Sequence, residues 1–464
     1  MLHLLLAYVI IFYLVIILYS ACYRYLNSIH LKKNATMHVI FYASAVISFV
    51  LASSLYHPYY LTFVDVNDLS TTLDVFCIYW PFVYVFAFVT PLTLVFCFIY
   101  NKNELRQFTI YITAILFLGF LLFSVNSIFL FFIIYEAFLI PSFLTLYSFA
   151  KTRKAVEAAY LMFFWTQFGA LFLILNFQYL FFISNISMFS SFAELSFSPA
   201  ESHFLFLTLL IGFGVKFPIW PFYDWLPKAH VEASTNFSIF LSGVLVKFAF
   251  FGFLKYLTSL SIDIIPFWFY PFIFVGFLDS SLKLYYQIDL KKVIAYSTVI
   301  EMHWLTIAVV NGNSFFWISG FAMMISHALL SSNFFLLIDS ITRRFKTRIL
   351  PEISGIIFYL PSLYFVTLTL LVLFLGFPGT LFFIAEVIFF SALLDFNFLL
   401  FLIFFFFAYF FVPSVFFKKW FLILFGNSEV ISQQSTPDLN RFEFVLFWFF
   451  ILVLFWFGLT FQFL

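Results

Sequence analysis

Charged side chains are scarce in this sequence: Asp, Glu, Lys and Arg together make up 9% of its 464 residues. A soluble domain carries about a quarter charged residues, so this composition excludes an ordinary water-soluble fold. The formal net charge is only +1. A sequence this balanced lacks the basic surface that nucleic-acid binding requires, and nothing in it favours an acidic substrate.

The residues that usually hold metals or nucleotides are also few. The three cysteines, Cys22, Cys77 and Cys97, are scattered in or beside apolar runs and form neither a metal-binding spacing nor a plausible disulfide set. The sequence has no Gly-rich nucleotide fingerprint and no P-loop. We therefore expect no metal and no cofactor on this chain, and any redox chemistry or ATP use would depend on another subunit.

Long apolar runs, in contrast, are abundant. Hydrophobic residues make up 65% of the chain, and runs of about 20 residues, the length that crosses a hydrocarbon core, recur throughout it. The sequence therefore predicts an all-α polytopic membrane protein. The first run, from Leu2 to Tyr19, is too long and too poor in leading positive charge for a cleavable signal peptide. Hydropathy predicts about fourteen transmembrane helices, with approximate limits 2–22, 38–56, 75–100, 108–125, 127–149, 158–182, 204–221, 237–258, 264–282, 292–310, 315–339, 357–393, 396–416 and 442–462.

The charges of the loops predict the orientation. When the loops are numbered alternately, the basic clusters fall on one side, from Arg24 in the first loop to Lys418 and Lys419 near the C-terminus. The opposite loops carry acidic residues, such as Asp65, and essentially no Lys or Arg. Keeping Lys418 and Lys419 on the basic side requires residues 357–393 to form one broken span rather than two crossings. Both termini then face the opposite, outer compartment.

Two spans are predicted to be discontinuous. The seventh is interrupted by Pro218 and Pro221 just after Lys216, and the twelfth by the segment “GFPGT” at 376–380. Broken helices at corresponding places in two halves indicate a transport site built on inverted repeats. We therefore expect an antiporter-like fold with two inverted five-helix repeats. The predicted domains are an N-terminal three-span segment (1–106), the first repeat (107–260), the second repeat (261–425) and a C-terminal loop with the last span (426–464).

Seven ionisable side chains are predicted to lie inside the membrane. A charge at the bilayer centre costs about 2.5–3.5 kcal/mol on insertion scales, so each of them is a candidate functional group. Burial raises the pKa of an acid and lowers the pKa of a base, because it disfavours the charged form in both cases. An opposite charge nearby has the reverse effect. A Glu–Lys pair that opens and closes can therefore release and bind a proton. The predicted proton path comprises Glu136, Lys216, Lys247, Glu301, His303, His327 and Glu386.

Each of these side chains also has a purely structural interpretation. Glu136 and Lys216 could simply join two helices as an ion pair. Lys247 could extend its ammonium group to the membrane interface. The two histidines could be packed core residues, with His327 bonded to a neighbouring serine. Glu386 follows the Pro-Gly break, where helix ends and water could satisfy it.

Lys228 and His230 lie beside the seventh-span break, near the basic side, and are candidate residues for proton uptake. A loop salt bridge with Glu232 or Asp224 is an equally good interpretation. Aromatic runs such as “FLIFFFFAYFF” are predicted to face lipid or to fill the core, and they do not indicate a cofactor site.

Several motifs resemble chain 4 of mitochondrial NADH–ubiquinone oxidoreductase (respiratory complex I). The most specific is “GFGVKFPIWPFYDWLPKAHVEAS…FLSGVLVKFAFFG”, which is similar to that family's V-K-x-P…WLPKAHVEA segment and the lysine of its eighth span. The segments “YEAFLIPSFLTLY”, “QIDLKKVIAYSTV”, “ISHALLSSNFFLL” and “FPGTLFFIAEV” resemble further parts of the same family. The resemblance covers most of the chain and is weakest near the two ends.

The resemblance implies a proton-translocating subunit of the membrane arm. It implies a switchable ion pair at Glu136 and Lys216, a proton path through Lys247 and His327, and a connection toward the outlet at Glu386, where the related chains 2 and 5 typically carry lysine. FMN, the iron–sulfur clusters and the quinone site are expected on partner subunits. The implied partners are other membrane-arm subunits of complex I, especially neighbouring antiporter-like chains, within the lipid bilayer. The implied location is the mitochondrial inner membrane, with the basic loops in the matrix and both termini toward the intermembrane space.

The tenth span departs from the family pattern. The motif A-Y-S-S-V-S-H-M-G appears here as “AYSTVIEMH”, so Glu301 replaces a His and His303 replaces a Gly. The alternative function is a multisubunit cation/proton antiporter without a redox partner, which the same acidic, lysine and histidine residues would serve. A scaffold that has lost pumping is a third interpretation, and the presence of the other charged positions argues against it.

Overall fold

The computed structural model describes residues 102–184, 197–260, 266–426 and 437–460, together with the single positions 82, 85, 89, 188, 189, 192 and 195. The first two predicted spans and nearly all of the third, and with them most of the predicted segment 1–106 and all three cysteines, lie outside the described residues. The chain divides into two compact units, Met1–Leu105 and Arg106–Leu464. The predicted site residues all belong to the second unit.

Within the described ranges the chain is helical and forms no strand, which confirms the predicted all-α class. The helices are α1 (Lys102–Ser124), α2 (Ile128–Ala137), α3 (Leu139–Ser148), α4 (Arg153–Ser184), α5 (Pro199–Lys216), α6 (Trp225–Glu232), α7 (Thr235–Phe240), α8 (Val246–Leu260), α9 (Phe269–Tyr286), α10 (Leu290–Val310), α11 (Ser314–Phe345), α12 (Ile356–Tyr359), α13 (Pro361–Phe374), α14 (Leu381–Phe396), α15 (Phe398–Phe406), α16 (Val412–Phe425) and α17 (Arg441–Thr460). A π-helical segment, Leu241–Leu245, joins α7 to α8, and a second one, Phe407–Phe411, joins α15 to α16.

Each span predicted from the fourth onward coincides with one helix or with helices separated by a short interruption. Among the described residues, seven continuous stretches are long and apolar enough, by length and composition, to cross a membrane. Several limits differ from the prediction by a few residues: α11, for example, ends at Phe345 rather than near residue 339, and α16 ends at Phe425 rather than near residue 416. The twelfth span begins at Pro361 rather than near residue 357, because the chain bends by 115° between Leu350–Tyr359 and Pro361–Phe374. Proline has no N–H to donate and therefore suits the first turn of a new helix.

The two predicted interruptions are present. In the seventh span α5 ends at Lys216, and no α-helix resumes until α6 begins at Trp225. In the twelfth span α13 ends at Phe374 and α14 begins at Leu381. The prolines of the seventh span lack the donor that an α-helix needs, and the glycines of the twelfth, Gly376 and Gly379, adopt positive φ angles of 73° and 90°.

The fifth span has an interruption that the sequence analysis did not predict. Its two helices, α2 and α3, are separated at Phe138. Pro141 lies four residues after Ala137 and cannot donate a hydrogen bond to its carbonyl, so the helix cannot continue regularly. Pro413 likewise lies four residues after Tyr409, a residue of the second π-helical segment, and cannot donate a hydrogen bond to the Tyr409 carbonyl. Glu136 therefore lies at a helix end rather than within a continuous helix.

Helices α10 and α11 form the interior of the described bundle. In each of three spans, 94% of the most apolar 18-residue stretch is buried inside the protein: Leu290–Val310, Ser314–Phe345 and Thr235–Leu260. The corresponding share for Phe398–Phe425 is 17%. Helix α11 packs against α7, α10 and α14, while α4 packs against α5 and α9 against α10. Polar side chains on α8, α10 and α11 therefore face protein rather than lipid.

Candidate functional site

An ion pair joins the interrupted fifth and seventh spans. Lys216 Nζ donates to Glu136 Oε1 at 2.8 Å and to the backbone carbonyl of Tyr135 at 3.2 Å. The ammonium group also lies 3.8 Å from the centre of the Tyr135 ring. Gln167 Nε2 donates to the other carboxylate oxygen of Glu136 at 3.4 Å. The two side chains predicted to form a switchable pair are thus in contact.

The position of Lys216 suits a switch. It is the last residue of α5, and the unpaired carbonyls and the dipole at a helix C-terminus favour a positive charge there. Glu136 occupies the last turn of α2. Because each partner is at the end of a helix that stops nearby, a small shift of either end would lengthen the ion pair without unfolding a span.

A small cavity lies beside this pair. It has a volume of about 40 Å³ and is lined by Lys216, Ser142 and Thr166 on one side and by Leu245 and Val246 on the other. A water molecule needs about 10–15 Å³ of such space and polar neighbours, so the cavity has room for a few waters. Its lining thus includes both Lys216 and residues of the π-helical segment that precedes Lys247.

Lys247 is fully buried in α8. Its Nζ donates to the carbonyl of Ser242, in the π-helical segment, at 2.5 Å. The Ser331 hydroxyl on α11 donates to the Ser242 hydroxyl at 3.3 Å. A π-turn leaves carbonyls that are not all used within the helix, and such turns are frequent at functional sites. The ammonium group therefore ends inside the bundle, which removes the interpretation in which Lys247 extends to the interface.

Glu301 and His327 form the centre of the site. His327 Nδ1 lies 2.5 Å from Glu301 Oε2, joining α10 to α11, and both side chains are buried. Glu301 also interacts electrostatically with Lys247 and with Glu386. No described residue bonds to the second ring nitrogen of His327. Lys247, Glu301 and His327 thus form one buried acid–base cluster.

Glu386 lies on α14, shortly after the twelfth-span interruption. Its Oε2 accepts a hydrogen bond from the Tyr409 hydroxyl at 3.1 Å. The carboxylate packs directly on the backbone of Gly376, where any Cβ would collide with it. Tyr409 and Gly376 were not identified from the sequence, because a tyrosine in an aromatic run and a glycine in a break carry no charge signal.

His303 is separate from the Glu301 cluster. Its Nδ1 lies 2.8 Å from the Val299 carbonyl, and its Nε2 accepts the backbone N–H of Trp220 at 3.0 Å. Trp220 belongs to the non-α stretch that follows Lys216. His303 is thus part of the seventh-span interruption, and its neighbour Glu301 points into a different part of the bundle.

The two candidate uptake residues have different environments. His230 is fully buried, stacks on Phe335 with ring centres 4.6 Å apart, and interacts electrostatically with Lys247 and Lys291. Lys228 is exposed. The proposed salt-bridge partners have other contacts: Asp224 pairs with Lys283 at 3.1 Å, and Glu232 accepts a hydrogen bond from Thr152 at 3.1 Å.

Two further buried lysines were missed as candidates. Lys255 lies within the predicted eighth span and donates to the carbonyl of Val125 at 2.5 Å, among the rings of Phe131, Phe189 and Phe251. Lys291 directly precedes the predicted tenth span (292–310) and was therefore assigned to the loop before it, but it is buried and donates to the Ala233 carbonyl at 2.9 Å. The position of Lys255 within an apolar run was the signal that would have identified it. Within the described ranges, no group of three or more His, Cys, Asp or Glu side chains is arranged to hold a metal.

Interrupted helices with buried acid–base pairs define the class of antiporter-like, ion-translocating membrane proteins. The family described as “NADH:quinone oxidoreductase/Mrp antiporter, TM” matches residues 125–412. The chain is 33% identical over 346 residues to NADH-ubiquinone oxidoreductase chain 4 of Paramecium tetraurelia, which covers 74% of this chain and 73% of that protein. This chain therefore belongs to the NADH:quinone oxidoreductase/Mrp antiporter family of membrane subunits, as its motifs indicated.

Solved structures show the same fold. A chain of respiratory complex I from Thermus thermophilus with bound NADH superposes with a TM-score of 0.71 at 18% identity, over 83% of this chain and 80% of that chain. A chain of the Mrp complex from Dietzia sp. DQ12-45-1b superposes with a TM-score of 0.67 at 18% identity, over 82% of this chain and 42% of that one. The antiporter-like architecture predicted from the sequence is confirmed.

Proposed function

We propose that this chain is a proton-translocating membrane-arm subunit of NADH:ubiquinone oxidoreductase. The observation that carries the proposal is the partly buried Glu136–Lys216 ion pair, with side chains 16% and 14% exposed, formed between two interrupted spans. Similarity to a relative named NADH-ubiquinone oxidoreductase chain 4 supports the assignment to that enzyme. Electron transfer would take place in partner subunits, which would hold FMN, the iron–sulfur clusters and the quinone site, and this chain would use the released energy to move protons.

In the proposed path the Glu136–Lys216 pair is the switch. When the pair is closed, the carboxylate holds the lysine in its charged form; when it opens, the isolated ammonium group is unstable in a low-dielectric interior and gives up its proton. The cavity beside Lys216 would let water carry that proton toward Lys247. His230, buried between Lys291 and Lys247, would supply protons from the basic side.

The central cluster and Glu386 form the second part of the path. Lys247 would exchange protons with Glu301 and His327, whose close contact lets one proton be shared between a carboxylate and an imidazole. The electrostatic interaction of Glu301 with Glu386 means that a proton arriving on one carboxylate makes it easier for the other to lose its own. Glu386, bonded to Tyr409, would pass the proton toward the outer compartment.

We also propose that residues 107–260 and 261–425 are inverted repeats. The seventh and twelfth spans are interrupted, and π-helical segments occur in the eighth and thirteenth, the next span in each half. Matching irregularities at matching places support a common origin of two five-helix units. The segments 1–106 and 426–464 would flank these repeats.

The proposed location is the mitochondrial inner membrane. The positive-inside rule would place the basic loops in the matrix and both termini toward the intermembrane space. The proposed neighbours are other membrane-arm subunits, especially antiporter-like chains. The basic cluster at the C-terminal end of α11, which comprises Arg343, Arg344, Lys346 and Arg348, is one of those that would face the matrix.

The proposal is tested with Glu136→Gln in membrane vesicles that contain the intact complex. We expect the complex to assemble and NADH-driven proton translocation to fall several-fold, because a neutral amide cannot hold the Lys216 charge. Glu157→Gln is the matched control, since Glu157 also pairs with a cation, Arg153, at 3.1 Å, but with side chains 59% and 92% exposed. Normal proton translocation in Glu136→Gln would refute the role of the pair.

The same vesicles test the antiporter alternative, since this chain shares its fold with a chain of the Mrp complex. Cation/proton exchange that is driven by an imposed cation gradient, requires Lys216 and needs no NADH would favour a free-standing antiporter. Proton translocation that occurs only during NADH oxidation would support the respiratory function.

A further inference from the structure

The stretch between α5 and α6, residues 217–224, is called here the seventh-span linker. It contains Pro218 and Pro221, which have no N–H group. The N–H of Trp220, between them, is donated to His303 Nε2 on α10 at 3.0 Å rather than to a backbone carbonyl. A side chain from another span therefore fixes the middle of the linker, four residues after Lys216.

This contact specifies the protonation state of His303. The Trp220 N–H can only donate, so Nε2 must be the unprotonated nitrogen of the ring. The proton of the neutral imidazole is then on Nδ1, which donates to the Val299 carbonyl at 2.8 Å. A second proton would have to bind Nε2, where two N–H donors would face each other and the contact would break.

The three elements meet too closely for this contact to be incidental. Gly276 on α9 faces the same point, and a Cβ there would collide with the His303 ring and lie 2.5 Å from the Trp220 Cβ. The fully buried imidazole is thus enclosed by α9, α10 and the linker. Because the ring has no room to turn away, a protonated Nε2 could find a new hydrogen-bond acceptor only if the linker moved.

Charged groups connect this point to the surface. Tyr223, later in the linker, donates its hydroxyl to Asp279 on α9, and its ring lies edge-on to His303 at 6.3 Å. Lys283 bridges Asp279 at 3.0 Å and Asp224 at 3.1 Å, and all three side chains are partly exposed. The titratable groups on this side of the bundle are therefore Asp279 and Lys283 on α9, Tyr223 and Asp224 in the linker, and Tyr296 on α10. Glu301, two residues before His303, faces the other way, toward His327.

We propose that His303 is a proton-sensitive positioning residue for the seventh-span linker. As a neutral imidazole it holds Trp220, and through the linker it keeps Lys216 against Glu136. When Nε2 binds a proton, the linker is released and the ion pair can open. The inference rests on the proposed function, because it gives the switch at Lys216 a trigger that responds to a proton.

The test is hydrogen–deuterium exchange of the intact purified complex, followed by mass spectrometry of peptides that cover residues 217–224. After correction for the pH dependence of the chemical exchange rate, we expect the wild-type linker to exchange several-fold faster at pH 5 than at pH 7. In His303→Gln the amide oxygen can still accept the Trp220 N–H but cannot bind a proton. That variant is expected to be protected equally at both pH values.

His203→Gln is the matched control, since His203 is exposed near the other end of α5, and it is expected to behave as the wild type does. Equal wild-type protection at pH 5 and pH 7 would overturn the proposal without any variant. The wild-type pH response in His303→Gln would overturn it too. The readout needs no turnover, so a failed Glu136→Gln result concerns the proposed function, whereas a failed exchange result concerns His303 alone.

Discussion

The lack of a side chain at Gly376 leaves room for the carboxylate of Glu386. Gly376 has a φ of 73°, in the left-handed region that favours glycine, and the carboxylate packs where its Cβ would be. Two separate requirements therefore fall on one position: backbone freedom, and space for a charged side chain. The second requirement links a structural residue to the proposed proton outlet.

Gly376→Ala is predicted to impair proton translocation more than it lowers stability. The backbone cost of alanine in the left-handed region is about 1–2 kcal/mol, and the added methyl group must also displace Glu386. Gly312→Ala is the matched control, because Gly312 has a similar φ of 63° but no atom within 4 Å of the point where a methyl group would lie. NADH-driven proton translocation and thermal inactivation of the complex are measured for both variants. Equal losses in the two would show that only backbone strain is involved.

Single residues differ in how far the sequence reveals them. Glu136, Lys216 and Lys247 could be identified because a charge within an apolar run is costly. The structure buries Lys247 and leaves Glu136 and Lys216 partly buried. The distinct position of His303 could not be identified, because its contact with Trp220 depends on how two distant segments fold together. Lys291 was assigned to a loop because it follows Asp289 at the very start of α10, where one turn separates the surface from the interior.

Among the helical elements, α13 begins with a contact from a distant loop. Asp438 accepts the backbone N–H groups of Ser362 at 2.8 Å and Leu363 at 3.2 Å, in the first turn of the helix. Partial burial alone would raise the pKa of Asp438, but the hydrogen bonds donated by Ser362 and by the backbone groups of Leu439 and Leu363 outweigh it and hold the pKa below its usual range. The carboxylate thus caps α13 in its ionised form.

Asp438→Ala is predicted to loosen the first turn of α13, because replacing a capping Asp by Ala costs about 0.5–2 kcal/mol. The folded-state pKa is lowered, so the stabilisation is complete above the ordinary pKa of about 3.9 and is lost only as the pH falls through the lower, folded value. Hydrogen exchange at residues 362 and 363 is therefore expected to be faster in the variant by the same factor at pH 6 and at pH 8. If the ratio of exchange rates between the variant and the wild type differed between pH 6 and pH 8, this account would be contradicted.

The interruptions of the spans show which irregularities a sequence reveals. Pro218 and Pro221 predicted the seventh-span break, because a missing donor has a local effect. Pro141 has the same effect on the fifth span and could have been read in the same way. The π-helical segment Leu241–Leu245 contains no proline, and its extra residue is stabilised by packing against α11, which no local pattern encodes.

Across the described part of the molecule, the charged groups of the proposed path lie inside the bundle and the exposed surface is mainly apolar. The described ionisable groups of the proposed path lie on α2, α5, α8, α10, α11 and α14, while the outer helices expose mainly aromatic and aliphatic side chains. Composition alone predicted this separation, since so few charges in so apolar a chain must be kept from lipid. The orientation in the membrane remains a prediction from loop charges.

Native electrophoresis of mildly solubilised membranes tests the assignment of the whole molecule. We expect this chain, identified by mass spectrometry, to co-migrate with a large NADH dehydrogenase activity, because no flavin or iron–sulfur site is expected on the chain itself. Blue-native separation followed by an in-gel NADH oxidation stain makes the comparison directly. Migration in a small assembly without flavin or iron–sulfur partners would favour the antiporter instead.

The exposed phenylalanines have a consequence for the gene. The chain has 82 phenylalanines in all, and many face outward, such as Phe182 and Phe267 at 85% and 89% exposure. Hydrocarbon and apolar neighbours ask only for an apolar surface, so Phe, Leu and Ile are nearly interchangeable there. The choice among apolar residues at exposed positions can therefore follow the nucleotide bias of the genome. The buried lysines, histidines and carboxylates cannot be exchanged in this way, because proton transfer requires their ionisable groups.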